Sequence, residues 1–501
     1  MTEGGPIRRI VIVGGGTAGW MAAAALARFV GGSGKRIVLI ESEAIGTVGV
    51  GEGTIPPILE FMQQLGLDEA EFLRETKATY KLGIEFVGWV TGEDRYFHQF
   101  GNIGRPLNGL SFHQLWLKHR REPAVGPLGN YSMSAVAAAR HRFEHPTTDA
   151  ANPLSDLAYA FHFDAAAYGK YLRRYAEGLG AERIEGKIVD VEQDGETGFV
   201  TGVKLDDDRR VRGDLFVDCS GFRSLLLGQT LGVPLEDWSQ WLPCDRAIAL
   251  PSERNDPLLP YTRSTAHPAG WQWRIPLQHR TGNGHVYCSA HMSDDEAERI
   301  LLENLDGKPI AEPNRLRFTA GRRSKSWEKN VVAAGLSAGF IEPLESTSIH
   351  LMQYGIQKLL SLFPSRGISA VERDEYNRHM VRGYEPVRDF IILHYHATRR
   401  SGPFWDHVRE MDVPDSLKHK IELFREHGRV FRYNEELFDV PSWIAVMLGQ
   451  GIIPERYDPL VDAMPDRDVL RMMAELGRSY EQTAERLPLA SDFIDRRLAA
   501  A

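Results

Sequence analysis

Residues 10–19 read Ile10-Val11-Ile12-Val13-Gly14-Gly15-Gly16-Thr17-Ala18-Gly19, and the alanine-rich segment from Trp20 to Phe29 follows directly. Four consecutive apolar residues leave no polar alternation, so the run predicts a strand buried on both faces. A glycine turn and a helix follow it. Glycine at 14 permits the tight turn, glycine at 16 lets a pyrophosphate approach the backbone, and glycine at 19 lets the helix pack close on the strand. The amides freed at the helix start would hold the phosphate. A second apolar run, Arg36 to Ile40, ends in Glu41. That acid stands about 20 positions beyond the turn, where a dinucleotide's ribose hydroxyl needs an acceptor. Strand, turn, helix, second strand and acid together predict a dinucleotide-binding βαβ unit rather than an ordinary βαβ turn.

A chain of 501 residues with 43% hydrophobic content can bury a large core and predicts two or three closely packed domains. The formal charge of -9 and the lack of a dense Lys/Arg run argue against nucleic acid as the main partner. Cys219, Cys244 and Cys288 are widely spaced and odd in number, which suggests neither a disulfide framework nor a zinc site. Met1 to Arg9 is polar, with an acid at Glu3, and no later run approaches the ~20 apolar residues of a membrane span. A cytoplasmic protein is expected.

After Glu41 a strap, Gly46-Thr47-Val48-Gly49-Val50-Gly51-Glu52-Gly53-Thr54-Ile55-Pro56, is too glycine-rich for a regular element and too apolar for a solvent linker. It suits close backbone approach to a flat ligand, or a loop over the sheet edge. Helices are predicted over Pro57 to Leu65 and from Asp68 to Thr79, the second capped by its aspartate. Lys81 opens a strand-like segment, Leu82 to Trp89, and is either a snorkelling edge lysine or a charge set in a cavity. His98-Gln99-Phe100 lies in a glycine-terminated loop. Ala158 to Leu179 predicts a helix whose Tyr168, Tyr171, Leu172 and Tyr175 recur at core spacing. Strands follow at Arg183 to Glu192, at Gly202 to Leu205, and at Asp214 to Cys219, the last a buried return to the first sheet.

Arg246 to Thr319 reads as short β-branched and aromatic runs, consistent with an antiparallel sheet. Within it Trp271 and Trp273, two apart on one strand, present a bulky apolar wall on one face. Asn330 to Ala334 is another buried strand, and Pro343-Leu344-Glu345-Ser346-Thr347-Ser348 then opens a helix whose start offers amides to an anion. Glu345 reads equally as a favourable first-turn carboxylate. Beyond Arg373 the chain is mostly helical. His394 and His396 lack Cys or carboxylate partners at ligand spacing, so no metal is expected.

These residues add up to a recognisable pattern. Over essentially its whole length the chain resembles the flavin-dependent tryptophan halogenases: Gly14 to Gly19, the strap Gly49-Val50-Gly51-Glu52-Gly53-Thr54-Ile55-Pro56, Lys81, Trp271-x-Trp273-x-Ile275-Pro276, and Pro343-Leu344-Glu345-Ser346-Thr347. The tryptophan wall with a lone lysine after the strap separates halogenases from the related flavin monooxygenases. The resemblance implies an α/β fold: an FAD-binding Rossmann-like domain of the flavin monooxygenase and halogenase type over 1–80, 155–235 and 325–365. It further implies a substrate-side antiparallel sheet and loops over 81–154 and 236–324, and a helical C-terminal region, 366–501, that completes the substrate site.

The implied chemistry is a two-component reaction. Reduced FAD from a separate, diffusing flavin reductase meets O2 to give a C4a-hydroperoxide, and bromide or chloride converts this to hypohalous acid. Lys81 receives the oxidant through a tunnel and offers it to an electron-rich aromatic, an indole or tryptophan derivative, while Glu345 orients the oxidant or takes the ring proton. By the same resemblance Gly14, Gly16, Thr17, Ala18, Gly19, Glu41, Val50, Gly51, Val189, Asp218, Leu336 and Ile349 bind the cofactor, and Thr347 and Ser348 the halide. His98, Phe100 and Phe438 hold the substrate, and Trp271 and Trp273 keep it from the flavin. No nucleic acid, membrane or metal is implied, and a homodimer is left open. Three positions depart from the family pattern: Ser348 stands where the halide site has glycine, Phe438 where the sandwich has tryptophan, and no tyrosine-rich stretch grips an amino acid backbone around Arg432 to Trp443. The competing readings are a single-component flavin aromatic hydroxylase and a non-catalytic FAD-fold binding protein.

Overall fold

The computed structural model describes residues 2–3, 5–44, 51–365, 367–433 and 435–499. A six-stranded sheet forms around the strand Arg9–Val13, which lies parallel between Arg36–Glu41 and Leu215–Asp218. Glu182–Glu185 extends one side, and Val331–Ala333 and Trp327–Glu328 the other. Because consecutive side chains point to opposite faces, Ile10 and Ile12 enter one core cluster while Val11 and Val13 enter a second. Both faces are covered, which is why the strand reads as uniformly apolar. The chain leaves Arg9–Val13 toward one neighbour and later returns on the other side, so the crevice at that reversal opens at the glycine turn.

A seven-stranded sheet carries the second half of the architecture. Arg246–Ser252, Thr281–Tyr287, Gly270–Pro276 and Thr262–His267 run antiparallel as expected, with Asn314–Arg317 on one edge. Gly83–Val87 joins parallel to Thr262–His267, and Arg95–Gln99 closes the other edge. Helices fill most of the chain beyond Ile368–Ser369, the longest being Ala370–His396.

Three expectations are corrected here. Ala158 to Leu179 is not one helix: Ala160–Asp164 is a strand and the helix is Ala165–Gly178, started by the Asp164 carboxylate accepting from the Ala167 amide. The strand pairs with Gly51–Gly53 and Thr79–Lys81, distant partners that override its local helical pattern. The helix from Asp68 ends at Thr76, where Lys77 turns left-handed, so Lys81 does not open the next strand. It closes Thr79–Lys81 in the small three-stranded sheet, and after Leu82 the chain passes into the seven-stranded one. No helix among the described residues is long and apolar enough to cross a membrane, and the three cysteines are free and buried.

Candidate active site

The glycine turn has the shape a phosphate cradle needs. A Cβ at Gly14, whose φ is +110°, would lie 2.3 Å from the Cys219 carbonyl oxygen, and one at Gly19 would lie 1.8 Å from the Gly14 carbonyl oxygen. Those two glycines are required by the protein's own packing. Gly16 differs, because a Cβ there would meet nothing within 4 Å. The space in front of it, at the start of the helix Thr17–Val30, is open to a ligand, and the residues present therefore fit FAD. Glu41 reaches back over the turn, its carboxylate held by the Trp20 indole N–H at 3.2 Å and by Arg183. Gly335, left-handed with φ +69°, brings the turn containing Leu336 against Ala18, where a Cβ would be 2.6 Å from the alanine methyl.

Lys81 lies at a junction of three segments. Its Nζ donates to Ser346 Oγ at 2.7 Å, stands 5.3 Å from the centre of the Phe100 ring, and would be 3.3 Å from a Cβ at Gly53. The strap, the lysine strand and the segment 342–347 thus meet at one ammonium. Lys81 is fully buried, and burial pushes its pKa down to about 7, an effect that nearby Glu345 partly opposes. Its strand is anchored by His162. Thr79 Oγ1 donates to the Pro276 carbonyl at 2.7 Å and so accepts from His162 Nδ1, while Nε2 meets Thr262 Oγ1 at 2.9 Å. Pro276 ends the tryptophan strand, so the lysine and the wall share one anchor.

Glu345 is also fully buried. His98 Nδ1 donates to its Oε2 at 2.8 Å, and His394 Nε2 stands 2.9 Å from Oε1 in a contact poorly aligned as a hydrogen bond. Burial, the largest influence, pushes its carboxyl up, but the two histidines outweigh it and hold the pKa at about 2. His394 is fixed in turn by donating from Nδ1 to the Phe390 carbonyl at 2.8 Å. Phe390 stacks on Phe438 with ring centres 3.8 Å apart, and the His98 ring centre is 6.2 Å from that of Phe438. His98, Phe438 and Glu345 therefore share one aromatic shell, whereas Phe100 lies beside Lys81.

The two tryptophans are buried and braced. Trp271 and Trp273 are buried with ring centres 6.1 Å apart, and Trp273 packs where any Cβ at Gly284 would fall 2.0 Å from its ring. Trp271 Nε1 donates to Glu342 Oε2 at 2.8 Å, and Tyr395 Oη donates to the same oxygen at 2.6 Å. Burial raises the Glu342 pKa to about 7. Gly51 lies across the end of this wall, since a Cβ there would be 3.3 Å from the Ile275 side chain. Thr347 is the buried residue preceding the helix Ser348–Ser361, with its Oγ1 unpartnered; Ser348 is half-buried and Ile349 buried in the first turn.

Not every expected residue reaches these centres. Val189 is exposed, at the irregularity between Ile188 and Asp190 in a separate three-stranded sheet. Asp218 offers no free carboxylate, because its oxygens accept from the Ser220 amide and hydroxyl and from the Leu226 and Leu227 amides. Val50 lies outside the described residues. His394, Glu342 and Ser346 were not singled out as site residues from sequence. Ser346 and Glu342 flank Glu345 in the same motif, a local signal; His394 carried none, since its partner is remote in the chain.

The comparisons with known proteins agree with this geometry. The family model described as tryptophan halogenase matches residues 9–466. The tryptophan 6-halogenase SttH of Streptomyces toxytricini is 35% identical, over 90% of this chain and 91% of its own. Among solved structures, a flavin-dependent halogenase from Xanthomonas campestris is 46% identical with a TM-score of 0.95, covering 98% of both chains. BrvH, a flavin-dependent halogenase from Brevundimonas sp. BAL3, is 46% identical with a TM-score of 0.94, covering 98% of this chain and 99% of its own. On the strength of this match and of the junction at Lys81, the chain belongs to the tryptophan halogenase family of flavin-dependent halogenases.

Proposed function

We propose that this enzyme halogenates an electron-rich aromatic of the indole class, with Lys81 presenting hypohalous acid to the ring. Reduced FAD, supplied by a separate reductase, would provide with O2 and bromide or chloride the oxidising power that makes the hypohalous acid. Gly14, Gly16, Gly19 and the start of the helix Thr17–Val30 would hold its phosphates, and Glu41 its ribose. Segments 1–80, 155–235 and 325–365 would carry the cofactor, 81–154 and 236–324 the substrate side, and 366–501 the rest of the pocket. Thr347 and Ser348, at a helix start rich in unpaired amides, would hold the halide.

The observation that carries this reading is Lys81 itself. It is buried, hydrogen-bonded among the described residues to a serine hydroxyl, beside a carboxylate flanked by two histidines, and on a strand that shares its anchor with the Trp271/Trp273 strand. An amine near neutral pKa can donate a hydrogen bond to the oxidant as ammonium or accept halogen as free base. The wall would bar organic substrate from the flavin side, which disfavours direct hydroxylation. The test supplies reductase, NADH, FAD, O2 and bromide to the wild-type chain and to Lys81→Ala, with a panel of indoles and phenols and a hypohalite scavenger. The wild type should halogenate an indole, and the variant should bind FAD yet give no halogenated product. Near wild-type halogenation by the variant in the presence of scavenger would overturn the assignment.

A further inference from the structure

The Glu345 carboxylate is flanked by two histidines. Oε2 accepts from His98, Oε1 faces His394 at 2.9 Å, and the side chain has no exposed surface. A base must reach the proton it removes, within hydrogen-bond distance or through one water. His98 is arranged differently. A carboxylate can only accept, so the hydrogen of the 2.8 Å contact sits on Nδ1. In the neutral ring this leaves the lone pair on Nε2, and Nε2 is a buried nitrogen with no partner among the described residues. A buried polar atom left unpaired calls for an explanation, and a catalytic role is one. This nitrogen belongs to a ring standing 6.2 Å from Phe438 and 5.6 Å from Phe390, centre to centre, in the aromatic shell that the substrate ring would enter. Carboxylate, imidazole and open nitrogen form an oriented base, with the orienter on one side and the reacting proton on the other.

We propose that His98 Nε2 takes the ring proton from the halogenated substrate, with Glu345 the positioning residue that sets its tautomer. The proposal rests on the halogenase reading given above. The step balances as follows. The aromatic ring gives two electrons to the halogen of hypohalous acid, a carbon–halogen bond forms, and the halogen–oxygen bond breaks. The departing hydroxide takes a proton from the Lys81 ammonium and leaves as water. The ring C–H bond then breaks, its electrons restore aromaticity, and the proton goes to His98 Nε2, later returning to Lys81 through solvent. The net change is aromatic C–H plus hypohalous acid to aromatic C–halogen plus water.

Single-turnover bromination of ordinary and ring-deuterated indole tests this in wild type, His98→Gln and Glu345→Gln, each loaded with reduced FAD. Wild type should show an isotope effect near unity. His98→Gln should bind FAD normally but, at saturating indole, react about 10² to 10⁴ more slowly, with a primary deuterium effect because proton removal now limits the rate. Glu345→Gln keeps an acceptor for Nδ1 and should slow less, without that isotope effect. A merely structural role for His98 would lower the folded fraction and leave the isotope effect at unity, which overturns the proposal. So does a large isotope effect in Glu345→Gln with none in His98→Gln. If His98→Gln does not fold, the tautomer of His98 in the wild type decides. ¹⁵N NMR of the histidine rings gives a readout independent of turnover: Nδ1–H on His98 supports the proposal and a neutral Nε2–H ring overturns it. Failure of the wild type to halogenate any indole would instead overturn the functional reading, and this proposal with it.

Discussion

Burying an ammonium costs several kcal/mol unless it is paired, and Lys81 is fully buried with a neutral hydroxyl as its hydrogen-bond acceptor. Its pKa is about 7 in the fold against 10.5 as the ordinary value. Between those values the unfolded chain binds the extra proton, so stability rises with pH across the window. The favourable contribution is complete above the unfolded value and is lost as pH falls through about 7. Lys81→Met keeps the length and removes the charge. It should therefore be more stable than wild type by on the order of a few kcal/mol near pH 6, with the gain shrinking steadily toward pH 10. Thermal unfolding of both proteins across that range checks it, and a pH-independent difference would show that the lysine's charge is not what the fold opposes. An exposed edge lysine, the other option the sequence left open, would have moved stability by only about 0.5 kcal/mol.

At the level of elements, the strand–turn–helix at 9–30 separates two kinds of glycine requirement. Gly14→Ala places a methyl 2.3 Å from a backbone carbonyl at a positive φ and should prevent or cripple folding, whereas Gly16→Ala fills only open space. The expected result is a Gly16→Ala protein with wild-type melting temperature in the absence of FAD and sharply weaker FAD binding by fluorescence titration. In the second sheet, Gly284→Ala would drive a methyl into the Trp273 ring and should cost about 1–3 kcal/mol in denaturant unfolding, more than an alanine normally does in a strand. The turn was legible in the sequence because its determinants, four apolar residues, spaced glycines and a terminal acid, are local. Elements set by remote pairing were not. Ala160–Asp164 looks helical beside Ala165–Gly178, yet it is a strand because Gly51–Gly53 and Thr79–Lys81 flank it. Lys81 seemed to start a strand because nothing local marks Leu82 as the crossing between two sheets. His394 looked idle for the same reason: Glu345 reaches it only through the fold.

Across the whole molecule, the described residues offer one crevice, at the glycine turn, that would serve a dinucleotide, and the second glycine turn, at Gly335, closes on Ala18 beside it. The purified protein should accordingly not oxidise NADH or NADPH at an appreciable rate, and adding a flavin reductase should restore turnover. Rapid bleaching of bound FAD on stopped-flow mixing with NADH alone would contradict that. On the proposed reading, substrate choice would depend on the same large-scale assembly, because the aromatic shell joins the strand Arg95–Gln99 to the helix Ala370–His396 and to Phe438 beyond it. Phe438 is already stacked on Phe390 at 3.8 Å, and it supplies a smaller ring than the tryptophan the family pattern places there. The stretch around Arg432 to Trp443 offers no tyrosine cluster to grip an amino acid backbone. A ring held by aromatic contacts but not clamped at its side chain will react where it is most nucleophilic, which for indole is C3. A clamped tryptophan would be forced to react on the benzo ring. Bromide is easier to oxidise than chloride, so bromide should be used at least as well. With reductase, FAD and bromide, the expected main product from indole is therefore 3-bromoindole, identified by mass spectrometry and NMR. Consumption of tryptophan at a single benzo carbon with indole ignored would mean that some other group in the helical region clamps the amino acid.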